Sequence, residues 1–165
     1  MRRRRAALAV LASLVLASAP ARAANLTGAK TFVAWIYAHY SPALRSFDVL
    51  GSDMPKVFHP SLMDLIRADQ KVGDDQSPDL DGDPLCDCQN AGGLAFTVES
   101  VTATEFGRAG ATIIRRGAVG ERDGDIIVLD LAQTSDGWRV YDVQTRDTPS
   151  LRAFLIKSIR DWKGQ

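Results

Sequence analysis

Leu94-Ala95-Phe96-Thr97-Val98-Glu99-Ser100-Val101-Thr102-Ala103 is the stretch on which the fold turns. Leu94, Phe96 and Val98 alternate with smaller or polar neighbours, and a period of two marks a half-buried strand. The alternation resumes one residue out of phase at Val101 and Ala103, which predicts a β-bulge near Glu99 and Ser100. Downstream, the same period predicts strands over 111–119, 125–133 and 137–144. Between them lies turn chemistry at 107–110, at Asp123-Gly124 and at Ser135-Asp136-Gly137. Consecutive strands joined by such short turns form an antiparallel meander.

Upstream of this stretch the period is helical. Phe32, Val33, Trp35, Ile36, Tyr37 and Tyr40 form a broad stripe over 28–41, and Pro42 closes the segment. A second helix is expected over 60–72, with Pro60 in the first turn, Leu62, Met63, Leu65 and Ile66 on its apolar face, and Gly73 as the stop. Residues 74–93, broken by Pro78, Gly82, Pro84, Gly92 and Gly93, read as an ordered loop around 83–89. Beyond the last strand, Thr148 caps a final helix with Pro149 at its first position. Leu151, Phe154, Leu155, Ile159 and Trp162 recur there at spacings of three and four and are expected to face the core. Helices, strands and a closing helix make an α+β domain: N-terminal helices and a C-terminal helix packed on one curved antiparallel sheet of four strands.

The start of the chain is of another kind. Arg2 to Arg5 form a positive region, residues 6–19 an apolar run, and Ala21-Arg22-Ala23 a small-x-small cleavage site. Residues 1–23 therefore read as a secretory signal peptide and 24–165 as one domain. The apolar run is shorter than the roughly 20 residues of a bilayer span, so the expectation is a periplasmic or secreted chain with no stable membrane insertion. The whole chain has 20 basic and 20 acidic residues; without the leader's five arginines, 15 basic residues face 20 acidic ones, a net of −5. Arg115-Arg116 is the only adjacent basic pair left, so nucleic acid is excluded as the expected partner. With 45% hydrophobic residues the chain has a core, and disordered, collagenous or multi-span classes are excluded.

Two phrases carry a resemblance. The helix pair, loop, bent sheet and the strand Asp136-Gly137-Trp138-Arg139-Val140-Tyr141-Asp142-Val143 resemble the cone-shaped fold of nuclear transport factor two and ketosteroid isomerase relatives. Asp81-Gly82-Asp83-Pro84-Leu85-Cys86-Asp87-Cys88-Gln89-Asn90 resembles the signature of a domain-of-unknown-function family of small exported bacterial proteins. In that family an Asp-Pro and a Gln precede the sheet, a Trp-x-Val-x-Asp-Val strand comes near the end, and a Ser-Leu-Arg helix closes the domain. Asp83-Pro84, Gln89, Trp138 to Val143 and Ser150-Leu151-Arg152 fall in that order. The resemblance implies a periplasmic or secreted module and no established reaction. Asn90 stands where an acid is expected, so no carboxylate role is carried over to it.

The candidate chemistry is concentrated in the loop. Between Lys71 and Arg108 there is no basic residue, while Asp74, Asp75, Asp79, Asp81, Asp83, Asp87, Glu99 and Glu105 give that stretch −8. Asp79, Asp81 and Asp83 copy the first three ligand positions of a calcium loop, but Pro84 takes the glycine position and Asn90 replaces the closing Glu, so no metal is expected. Cys86 and Cys88 are the only cysteines. On an extended strand their Cα atoms would sit ~6.6 Å apart, at the edge of the ~4.4–6.8 Å range of disulfides, so a bridge needs a turn at Asp87. A local disulfide, free or intermolecular thiols, and the start of a metal site are the alternatives. A thiol redox role ranks below them, since thioredoxin-like chemistry uses Cys-x-x-Cys. His39 on the rim of the first helix and His59 before Pro60 read as surface and capping residues, with no nucleophile motif beside them.

Asp130 and Asp142 each interrupt an apolar strand. In cone-fold relatives such an acid can move a proton where desolvation raises its pKa. The expectation is nonetheless a non-catalytic binding module without a cofactor, of immunity or envelope-assembly type, engaging a protein or small molecule through Asp83, Asp87, Gln89 and the open side of the sheet. The rival is an isomerase or dehydratase with Asp130 or Asp142 as base.

Overall fold

A computed structural model of the chain describes residues 25–41, 48–71, 77–117 and 124–163. The predicted leader, Pro42, the predicted Val72-Gly73 stop, Asp74, Asp75, Asp123 and the end of the second predicted strand at 118–119 lie outside the described residues. Helix α1, Leu26–Ala38, begins where the Asn25 side chain accepts from the Gly28 N–H at 3.1 Å. It buries Ala29, Val33, Ile36 and Tyr37; of the predicted stripe Val33, Ile36, Tyr37 and Tyr40 are buried, whereas Phe32 is half-buried and Trp35 is exposed on the flank of the helix. Gly28 matters here, because a Cβ would stand 3.1 Å from the Trp138 indole nitrogen. A short helix, α2, Met54–Val57, was not expected. After it Phe58 bridges Val140 in parallel, and the His59 N–H donates to the Val140 carbonyl at 2.8 Å. Helix α3, Pro60–Asp69, starts as predicted, with the His59 ring accepting from the Ser61 N–H, and ends three residues before the predicted Val72.

The sheet is a four-stranded antiparallel meander in the order β1 (Ala95–Ala103), β2 (Ala109–Arg116), β3 (Asp125–Thr134), β4 (Gly137–Gln144). The predicted bulge is present as a register shift between Val98 and Ser100. A second, unpredicted shift falls opposite Asp130 and Leu131, where Tyr141 is the extra residue on β4. The turn predicted at 107–110 is instead a 3-10 turn, Glu105–Gly107, with Phe106 at φ 59°. Gly110 is therefore inside β2, paired with Asp130 and Thr102.

Ala109, Ala111, Ile113, Ile127, Leu129, Leu131, Val140 and Val143 form the buried face of the sheet, joined in one core with the inner residues of α1, α2 and α3. The alternate face leaves Ile126 exposed and Thr112, Ile114 and Val128 half-buried. Helix α4, Leu151–Lys163, packs on α3 and β4. It begins two residues after the predicted Pro149, because Ser150, not Thr148, supplies the cap: its Oγ accepts from the Ala153 N–H at 3.1 Å. The Thr148 carbonyl instead accepts from the Thr145 N–H and closes a turn. The inward face of α4 is Leu151, Leu155 and Ser158, whereas Phe154, predicted as core, is 39% exposed. Phe154 lies on the flank of that face, where it lines a cleft instead of the core. Among the described residues no helix is long and apolar enough to cross a membrane.

Candidate functional site

The acidic loop is pinned from three sides. Asp83 folds it locally: its Oδ1 accepts from the Leu85 N–H at 2.8 Å, its N–H donates to the Cys88 carbonyl at 2.9 Å, and its carbonyl accepts from the Cys88 N–H at 3.3 Å. Gly82 is required by the returning chain, since a Cβ there would lie 2.9 Å from the Cys88 carbonyl oxygen. Asp87 takes φ 51°, the left-handed conformation that Asp tolerates better than most residues. This is the turn that a bridge between the two cysteines requires. It brings the Cys86 and Cys88 Cα atoms to 5.2 Å, and the two are joined as a disulfide.

From α1, the Tyr37 hydroxyl donates to the Leu85 carbonyl at 2.9 Å and the nearby Tyr40 hydroxyl to Asp83 Oδ2 at 2.5 Å. Both rings pack on Phe96 of β1, at 5.2 and 4.9 Å. From β2, the Arg115 guanidinium donates to the carbonyls of Cys86 and Asp87 at 3.0 and 2.6 Å and pairs with Asp125 at 2.7 Å. Burial pushes the Asp83 carboxyl above the usual carboxylate range, with the Tyr40, Leu85 and Cys86 hydrogen bonds pulling it partly back. Burial and the Asp83 charge push the Tyr40 phenol far upward as well. Asp83 is thus the organising residue of the loop.

Between this loop, the end of β4 and the first turns of α4 lies a cleft of about 350 Å³. Leu80, Pro84, Val143, Leu151 and Phe154 supply its apolar walls, and Asp79, Asp81, Asp83 and Asp87 border it. None of its lining residues is basic. Each aspartate is held differently. Asp79 accepts from the Ser158 hydroxyl, and Asp81 from the Gln89 amide at 3.0 Å. The Asp87 side chain is exposed and has no partner among the described residues. Asp69, fully buried at the end of α3, accepts from the Leu80 N–H at 3.1 Å and anchors the entry to the loop. Burial raises its pKa too. Of the expected binding residues, then, Asp83 is turned to internal bonds, Gln89 steadies Asp81, and Asp87 stays free on the rim. A wider depression lies on the open side of the sheet around Ile126, Val128, Gln144 and Pro149.

The two strand carboxylates are in a different place. Asp142 is buried and accepts from the N–H groups of Val143 and Arg152 at 2.9 and 3.0 Å and from the Ser150 hydroxyl at 2.6 Å, so it ties β4 to the start of α4. Asp130, its partner across β3 and β4, pairs with Arg108 at 2.5 Å. Desolvation raises the Asp130 pKa and the Arg108 charge opposes the rise. Tyr141 is sandwiched between the guanidinium groups of Arg108 and Arg152, at 3.8 and 4.2 Å from the ring centre, and meets the His59 ring edge-on at 5.3 Å.

Sequence reasoning missed Tyr37, Tyr40 and Arg115. Arg115 had a signal, because it continues the inward alternation of Ala111 and Ile113 with a charge. The tyrosines were read only as apolar stripe. His39 bonds back to the Trp35 carbonyl of its own helix at 2.9 Å. Among the described residues no three His, Cys, Asp or Glu side chains come together as a metal site. Compared with family models, with curated proteins and with solved structures, the chain matches none.

Proposed function

We propose that the chain is an exported binding module whose cleft receives a basic side chain of a partner protein. One observation carries this reading: a cleft with apolar walls is bordered by four aspartates and, among the described residues, by no basic group. A lysine or arginine has the matching division, an apolar stem that lies along hydrocarbon and a charged head that seeks carboxylates. The loop is held by bonds to α1, β2 and its own backbone, so little ordering entropy opposes association. An immunity-type or envelope-assembly role falls within this reading.

The finer architecture belongs to the same proposal. Two bulges that bend the sheet, with helices before and after it, support a cone of the nuclear transport factor two kind and kinship with the small exported family carrying the Asp-Pro and Cys-x-Cys segment. The isomerase alternative has less support: Asp142 is engaged by the start of α4 and Asp130 by Arg108. Export rests on the leader, and protein recovered from the periplasm should begin at Ala24. Recovery of Met1 in the membrane fraction would contradict that. Binding is tested by calorimetric titration with paired peptides of equal length, one rich in Lys and Arg and one in Asp and Glu. The basic peptide should bind with an affinity that falls as salt rises, and equal binding of both would overturn the reading.

A further inference from the structure

The disulfide shares a wall with the cleft. Cys88 borders it, whereas Cys86 has no exposure and does not line it. Of the pair, only Cys88 is therefore open to anything seated there. The loop has supports besides the bond between them: the Asp83–Cys88 backbone pair, the Arg115 bonds to the carbonyls of Cys86 and Asp87, and the Tyr37 bond to Leu85. A ring closed over two residues also removes little freedom from the unfolded chain. Reduction has a prepared place for its proton as well, because Cys86 Sγ lies 3.5 Å from the Asp83 carbonyl oxygen and 3.7 Å from that of Cys88.

We infer that the Cys86–Cys88 pair is an exchangeable disulfide, attacked at Cys88 by a thiol that the acidic cleft selects for positive charge. The charge preference rests on the proposed cleft function; the exchange itself does not. The incoming thiolate forms a bond to Cys88 Sγ while the Cys86–Cys88 bond breaks, its electron pair passing to Cys86 Sγ. Cys86 then takes up the proton the incoming thiol released. A second thiol displaces Cys88 from the mixed disulfide, so two thiols are oxidised to one disulfide and the protein gains two electrons and two protons. A partner carrying a cysteine beside Lys or Arg fits both the charge and the chemistry.

The oxidised mature chain is reacted with cysteamine, mercaptoethanol and thioglycolate, a cationic, a neutral and an anionic thiol. Rates are corrected for thiolate fraction, and acid-quenched samples are mapped by mass spectrometry. The adduct should sit on Cys88. Cysteamine should exceed thioglycolate by roughly tenfold at low salt, more than in the same chain unfolded in urea. The gap should close at high salt and in the Asp81→Asn, Asp87→Asn variant. An adduct on Cys86, or a native disulfide that resists all three thiols while the unfolded one reacts, would overturn the exchange and leave the peptide-binding reading intact. Reaction at Cys88 with no charge preference would overturn selection by the cleft, and the peptide titration then decides separately whether the binding reading fails with it.

Discussion

The loop at 79–89 and the β3–β4 pair both place aspartates beside aromatic rings and arginines, yet they use them in opposite ways. In β4 the carboxylate of Asp142 is consumed by the fold, with three donors gathered on its two oxygens. In the loop one aspartate, Asp83, is consumed in the same manner, and its bonds hold Asp81 and Asp87 at the mouth of a cleft. A carboxylate in an apolar strand draws the eye as a catalyst, but a strand is also where a sheet can reach out to cap a helix. A loop aspartate is free to meet a ligand only when a neighbour has already done the structural part.

The contrast breaks most visibly in stability. Asp142→Ala removes the acceptor for the Arg152 N–H at the helix start and leaves the Ser150 hydroxyl without its partner. The expected loss is about 2–4 kcal/mol by combining a lost cap with unmet buried donors, measured by urea unfolding. A loss near zero would show that α4 caps itself.

Acidification separates the regions next. His59, beside Tyr141, has its pKa lowered by burial and by the charges of Arg152 and Arg108. The unfolded chain therefore binds that proton first, and stability falls as pH drops below about 6.5, the ordinary histidine value. Asp83 is shifted the other way, raised by burial, so the folded chain binds its proton first. Stability is regained as pH falls through that raised value toward the ordinary value of about 3.9. His59→Asn should reduce the loss and Asp83→Asn should reduce the gain, leaving the share of Asp69 and Asp130, whose pKa values burial also raises, in urea midpoints taken across pH. The same slope in both variants and the parent would refute this assignment.

A smaller effect is expected from the cysteines. Replacing Cys86 and Cys88 together with Ser should lower stability by only about 1–2 kcal/mol, since so short a ring contributes little entropy and the loop has its other bonds. Failure of that variant to fold would make the disulfide the loop's main support and not Asp83.

Much of the fold was legible because its signals are local. Alternation in 94–103 located a strand and its bulge, and the two-residue span of Cys86 and Cys88 made a turn at Asp87 the condition for a bridge between them. The second bulge was not legible, since Val140, Tyr141 and Val143 permit either phase and only the neighbours decide. The start of α4 was misplaced because its cap comes partly from Asp142, eight residues before Ser150 and on another element. In the same way the hold of Tyr40 on Asp83 spans 43 residues, and no local pattern announces it. The acidic stretch itself was plain from charge alone. Which of its aspartates would remain free depended on contacts that only the folded chain brings together.

The most direct measurement of the central claim is a chemical-shift map of the ¹⁵N-labelled mature chain titrated with N-acetyl-argininamide and, separately, with N-acetyl-glutamate. The account predicts that argininamide moves the amides of Leu80, Gly82, Asp87, Cys88, Val143 and Leu151, that Asp87→Asn weakens the effect without changing the melting temperature, and that those around Asp130 and Arg108 stay still. Shifts centred on Asp130 and Tyr141, or an equal response to both compounds, would contradict it.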